Sequence, residues 1–189
     1  MEKSDVAKAA EGDLKAFKKI FDYYLPRMRP VCLRYVHTAF EADDILQEAF
    51  VKIFHNIKNF KFEGSFEGWV RRIVVNTALD HFKRNSTFYS HLNIDQINEN
   101  ETESEEIDLS GAEPSELIQL INKLPEGYRM VFNLYVLEDY SHREIAELLG
   151  ISEGTSRSQY SKAKNSLKKM IVGQRFEFKS TLINRFNSK

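Results

Sequence analysis

Residues 86–112 constrain this chain more than any other stretch, because they cannot join a packed core. They contain no Lys or Arg, and their acids are Asp95, Glu99, Glu101, Glu103, Glu105, Glu106 and Asp108. No apolar periodicity runs through them. A segment this polar buries too little apolar surface to offset the entropy of ordering it, so it reads as a flexible linker. Fully stretched it reaches roughly 90 Å, at about 3.3–3.6 Å per residue. A chain of 189 residues divided in this way builds two small cores rather than one large one.

Both flanks repeat apolar residues at helical spacing, and only 8 Gly and 4 Pro interrupt the whole chain. The expected fold is therefore all-α: two small helical domains, 1–85 and 113–172, joined by the acidic linker 86–112. A tail, 173–189, has aromatic and basic residues and no assignable role. In the first half, Phe17, Ile20, Phe21 and Tyr24 begin a run that Pro26 and Pro30 are expected to bend or break. A helix follows over 41–59, with Leu46, Phe50, Ile53, Phe54 and Ile57 as its apolar stripe. After the loop K-F-E-G-S-F-E-G at 61–68, a third long helix spans 66–84. The second half resumes with a helix over 115–123. Another starts at L-P-E-G-Y-R, 124–129, directing Val131, Phe132, Leu134, Tyr135 and Leu137 inward.

A formal net charge of −1 argues at first against a nucleic-acid partner. Its distribution reverses that reading. Residues 1–85 carry 15 Lys+Arg against 12 Asp+Glu, residues 86–116 carry none against 9, and residues 117–189 carry 12 against 7. Two mildly basic ends flank an acidic middle. The single Cys32 cannot form an internal disulfide and reads as a core thiol; no Cys/His cluster has zinc-site spacing, and no cofactor is expected. There is no signal-peptide-like or membrane-length apolar run, so the sequon at Asn85 reads as chance and the chain as cytoplasmic, without membrane insertion. No nucleophile, metal cluster or phosphate loop points to an enzyme.

The most informative segment is S-H-R-E-I-A-E-L-L-G-I-S-E-G-T-S-R-S-Q-Y-S-K-A-K-N-S-L-K-K-M at 141–170. Ser141 and Glu144 have capping-box spacing. Ile145, Ala146, Leu148 and Leu149 form a short inward face, Gly150 suits a positive-φ helix end, and Ser152 can cap the next helix. This is the grammar of a helix-turn-helix, whose second helix enters the DNA major groove. On that helix Tyr160, Ala163 and Leu167 pack. Thr155, Arg157, Ser158, Gln159, Ser161, Lys162 and Lys164 are the candidate DNA contacts, Arg being the best single reader of guanine. The bland alternative is a basic amphipathic helix on a helical bundle.

Four stretches, in order, resemble the extracytoplasmic-function (ECF) sigma factors of the sigma-70 family. L-P-E-G-Y-R-M-V-F at 124–132 and the run at 140–159 are similar to its promoter −35-reading region. E-A-D-D-I-L-Q-E-A-F-V-K-I-F at 41–54 is similar to the helix docked on the polymerase clamp, and F-E-G-W-V-R-R-I-V-V-N-T-A-L-D-H-F-K-R at 66–84 to the −10 recognition and melting segment. The resemblance implies a non-enzymatic subunit directing RNA polymerase core to promoters, through the clamp of the largest subunit and the flap. An anti-sigma factor is a further implied partner. It assigns polymerase binding to Asp44, Gln47, Glu48 and Phe50, and −10 DNA to Phe62, Arg72, Asn76 and Lys83. Without the family, the carboxylates of 41–59 also suit a solvated face, and Phe66, Trp69 and Phe82 a core; Asp80 is placed to pair with Arg84. The implied place of the linker is in the basic RNA exit path. Relatives commonly carry Arg where this chain has Gln159 and an aliphatic residue where it has Ser156, which leaves the −35 preference open. The rival reading is a free-standing dimeric helix-turn-helix regulator.

Overall fold

The computed structural model describes residues 1–36, 38–85 and 114–187, the last stretch with side chains over 117–172. The expected acidic linker, 86–112, lies outside the described residues. The chain forms two compact units, Met1–Ser86 and Thr87–Lys189, and every described element is helical.

Unit 1 contains α1 (Lys3–Ala10), α2 (Leu14–Cys32), α3 (Ala39–Asn56), a 3-10 turn (Ile57–Asn59) and α4 (Phe66–Asn85). Three long helices were expected; the short α1 is additional. Gly12, at φ +97, turns the chain between α1 and α2, and the Asp13 carboxylate caps α2 by accepting from the N–H groups of Lys15 and Ala16. Of the bend or break expected at Pro26 and Pro30, the break does not occur, since both lie inside a continuous α2. Both prolines are exposed, so the carbonyls they deprive of a donor face solvent, where water can serve them. Beside them, Arg27 Nη1 donates to the Tyr23 carbonyl at 2.6 Å.

Ile20, Tyr24 and Met28 of α2 meet Ile45, Leu46, Ala49 and Ile53 of α3 and Val70, Val74 and Leu79 of α4 in a sealed core. Each large aliphatic side chain buried there contributes about 1.5–3 kcal/mol. Cys32 lies fully inside this core, and burial pushes its thiol pKa up to about 12. It is inert as a nucleophile at neutral pH.

Unit 2 contains α5 (Pro114–Asn122), α6 (Glu126–Phe132) running into a π turn (Asn133–Leu137), α7 (His142–Leu149) and α8 (Glu153–Asn187). Leu120, Ile121 and Leu124 pack with Phe132 against Ala163, Leu167 and Ile171 of α8. Leu134 is fully buried as expected, but Tyr135 is 37% exposed, because the wider π turn swings it out of the core. The buried Arg129 guanidinium donates to the Asn122 carbonyl at 3.3 Å, closing the end of α5. The backbone of α8 continues through the tail as far as Asn187.

Candidate nucleic-acid interface

In unit 2 the local chemistry builds a rigid two-helix corner. The Ser141 hydroxyl accepts from the Glu144 N–H, while the Glu144 carboxylate accepts from the Ser141 N–H at 2.8 Å: a complete capping box opens α7. Gly150 closes α7 in the left-handed region, at φ +65. Two residues on, Ser152 Oγ accepts from the Thr155 N–H at 2.9 Å and starts α8. Buried Ile145 and Leu149 of α7 then seat against α8, whose inward line is Ser156, Gln159, Ala163 and Leu167. That leaves Arg157, Ser158 and Ser161 on the outward side, extended by exposed Lys168 and Lys169. Arg157 pairs with Glu153 one turn earlier. Lys164 holds its ammonium 5.2 Å from the centre of the Tyr160 ring.

In unit 1 a loop of aromatic rings precedes α4. Phe60 packs against Phe66 and Trp69 with centroids at 5.1 and 5.5 Å, and Phe66 stacks on Trp69 at 5.5 Å. Phe62 leans on Phe60 at 5.1 Å yet stays 41% exposed. Its φ of +60 is a conformation a bulky residue adopts at a cost. Along α4, Arg72 and Lys83 are exposed and Asn76 is half-buried, one residue before the sealed Thr77. The Thr77 hydroxyl donates to the Ile73 carbonyl and accepts from Lys52, tying α3 to α4.

The outer face of α3 is a separate surface. Phe40, Asp44, Gln47 and Val51 recur at four-, three- and four-residue spacing, so they form one stripe, and all four are exposed. Phe40 reaches 75% exposure. Asp43 beside the stripe grips Arg29 with both oxygens, at 2.8 and 3.3 Å.

Comparison with known proteins agrees with this layout. Residues 20–88 match the sigma-70 region 2 family and residues 115–167 the sigma-70, region 4 family. Over 182 residues the chain is 30% identical to the ECF RNA polymerase sigma factor SigW of Bacillus subtilis, covering 90% of this chain and 97% of that one. The chain is a sigma factor of the ECF group. It is also 28% identical, over 179 residues, to the RNA polymerase sigma-H factor of Pseudomonas aeruginosa, covering 88% of this chain and 91% of that one. Its fold is similar to that of the sigma factor RpoE of Bartonella quintana, solved in complex with the anti-sigma factor NepR. There the TM-score is 0.50 at 18% identity, covering 84% of this chain and 98% of the other.

The expected site residues of this sigma factor fall into four groups. Asp44, Gln47, Phe62, Arg72, Lys83 and Arg157 stand in the open, while Asn76, Thr155, Ser158, Ser161, Lys162 and Lys164 are part-exposed. Glu48 is engaged within the domain: it takes Lys52 at 2.9 Å and Arg84 at 3.0 Å, and its carboxyl pKa is held down by Lys52 first and Arg84 second. The expected Asp80–Arg84 pair gives way to this arrangement, with Asp80 facing Lys52 at 3.6 Å. Two residues require correction. Phe50 is 3% exposed and packs edge-on against Phe21 at 4.8 Å, so it supports α3 from inside rather than meeting a partner. Gln159 is 4% exposed; it falls about 40° from the centre of the buried line, at 100° per residue, and faces the interior of unit 2 rather than a groove.

Sequence reasoning passed over Phe40 and Val51, whose exposure is set by how α3 packs. Their signal is the i, i+4, i+7, i+11 spacing around Asp44 and Gln47. It also passed over His142, which lies at the joint between α7 and α8.

Among the described residues no group of His, Cys, Asp and Glu is placed to hold a metal ion, and no helix is long and apolar enough to cross a membrane.

Proposed function

We propose that this sigma factor brings core RNA polymerase to particular promoters by dividing the work between its two domains, 1–85 and 113–172. The outward face of α8 supports the reading most directly. It combines a guanidinium, two hydroxyls and flanking ammoniums on a helix held at a capped, glycine-closed corner. Arg157, Ser158, Ser161, Lys162 and Lys164, with Thr155 at the helix start, contact the −35 element through the major groove and its phosphates.

The N-terminal domain takes the −10 element as single strand. Phe62 offers an exposed ring on which an unstacked base can rest, Asn76 an amide, and Arg72 and Lys83 charge for the backbone. Asp44 and Gln47, bracketed by Phe40 and Val51, dock on the basic clamp of the largest polymerase subunit, and the second domain engages the flap. The acidic linker runs through the RNA exit path, where its carboxylates mimic the charge of RNA. The protein performs no catalysis of its own and works in the cytoplasm. An anti-sigma factor is a further partner, of the kind with which RpoE was solved in complex.

Two small domains with few phosphate contacts bind free DNA weakly. Polymerase fixes both at once, so the second contact becomes effectively intramolecular. Run-off transcription from a library of upstream fragments, with core polymerase in the presence or absence of the protein, tests this reading. Discrete transcripts that need the protein are expected, and their aligned upstream sequences define both elements. A homodimer that shifts a palindromic site unaided and gives polymerase no specificity would replace the sigma mechanism with a free-standing regulator.

A further inference from the structure

The corner of the helix-turn-helix contains a polar contact that DNA reading does not use. His142, the first residue of α7, is 8% exposed, and its Nδ1 lies 2.9 Å from Oγ of Ser156, which is wholly buried on α8. Tyr135 of the π turn stacks on the imidazole with centroids 4.3 Å apart and planes within 11°. Tyr160 of α8 flanks both rings, at 5.8 Å from His142 and 4.6 Å from Tyr135. Two elements, the π turn and α8, thus converge on one imidazole of α7.

An apolar pair at these positions would hold α8 by packing alone, which resists rotation weakly. A hydrogen bond is directional and fixes the roll of the helix at the residue next to Arg157. The roll matters for reading. With a side-chain radius of about 5–6 Å, a 20° turn moves a base-contacting tip by about 2 Å, enough to lose a bond that works only at about 2.7–3.2 Å.

We propose that the His142–Ser156 hydrogen bond, clamped by Tyr135, is the positioning contact that sets the roll of the recognition helix, and that it makes −35 binding depend on the protonation state of His142. This rests on the reading of α8 as the −35 helix. The groups facing the imidazole are Tyr135 from the π turn and Glu153, Arg157 and Tyr160 from α8. Burial holds the His142 pKa below its ordinary value of 6.5, Arg157 lowers it further, and Glu153 opposes them. The neutral ring is the form this buried corner accommodates; a charged one loses hydration there and is repelled by Arg157. Because the pKa of the packed state is depressed, the contribution of this contact is complete above about pH 6.5 and is lost as pH falls from there through the packed-state value.

The test uses holoenzyme assembled from the full chain, binding promoter fragments that carry or lack the −35 element between about pH 5.5 and pH 8. His142→Asn keeps an amide near the Nδ1 position without titrating, and Ser156→Ala removes the hydroxyl. The wild-type preference for the −35 fragment is expected to fall several-fold toward the acid end, while that of His142→Asn stays flat. Ser156→Ala is expected to lower the preference severalfold at neutral pH, and His142→Phe added to it to cost little more. Identical pH profiles for wild type and His142→Asn overturn the proposal, as does full −35 preference in Ser156→Ala. If wild-type holoenzyme at neutral pH ignores the −35 element altogether, the −35 reading of α8 falls and this contact's role falls with it.

Discussion

Phe62 stands at φ +60 with its ring 41% exposed, a combination in which folding gains little and pays the conformational penalty. A bulky residue kept in that state is better explained by what its ring meets than by what it packs. Phe62→Gly relieves the backbone and removes the platform. Open-complex formation, followed by permanganate reactivity of the −10 strand, is expected to drop by about tenfold or more, since one stacked base contributes about 1–3 kcal/mol. Stability measured by urea unfolding is expected to hold or to rise by up to about 1 kcal/mol. At this scale the sequence was legible where chemistry and position coincide, as in the outward exposure of Arg157, and misleading where they part. Gln159 and Phe50 carry side chains suited to binding, but a helix buries residues by angle, and their angles face inward.

Among the elements, the helix ends were the most readable features, because a cap is a contact between residues three apart and needs no tertiary partner. The Ser141–Glu144 box and the Gly150 terminus are both present. An equivalent box at Thr38 and Glu41 starts α3. Ser141→Ala is expected to lower the stability of unit 2 by about 1 kcal/mol, and Glu144→Ala added to it to cost less than its separate effect; denaturant titration of both variants and the double mutant checks this. Asp13 provides an acid test at the start of α2. Its carboxylate accepts from the N–H groups of Ala16 and Lys15, the two largest of the causes that lower its pKa below 3.8. A depressed folded-state pKa gives stability that is present above the ordinary carboxylate value and lost as pH falls through the folded one. Asp13→Asn, which still accepts but does not titrate, is therefore expected to lose less stability than wild type between about pH 5 and pH 2 in thermal unfolding. That the prolines of α2 do not break the helix has a reason of the same scale. Their cost depends on whether the orphaned carbonyls face solvent, and exposure belongs to the packed domain.

Across the whole molecule, function depends on surfaces that only packing creates. The exposed stripe of Phe40, Asp44, Gln47 and Val51 on α3 contributes little to its own domain, so Asp44→Lys with Gln47→Lys should leave unfolding within about 0.5 kcal/mol of wild type. The same variant is expected to bind core polymerase at least tenfold more weakly in a competition assay, with the loss shrinking as salt rises. If its affinity is unchanged, the clamp contact lies elsewhere. The sequence by itself determined that the chain is helical, that residues 86–112 carry acids and no Lys or Arg, and where the helix-turn-helix begins, turns and resumes. Each of these is set by neighbours within a few residues, through periodicity, caps or local charge. Only the tertiary structure decided which polar side chains remain available: it engaged Glu48 with Lys52 and Arg84, buried Gln159 and Phe50, and joined His142 to Ser156 across fourteen residues. Those outcomes depend on the angle at which one helix meets the next, and that angle is fixed by side chains distant in the chain.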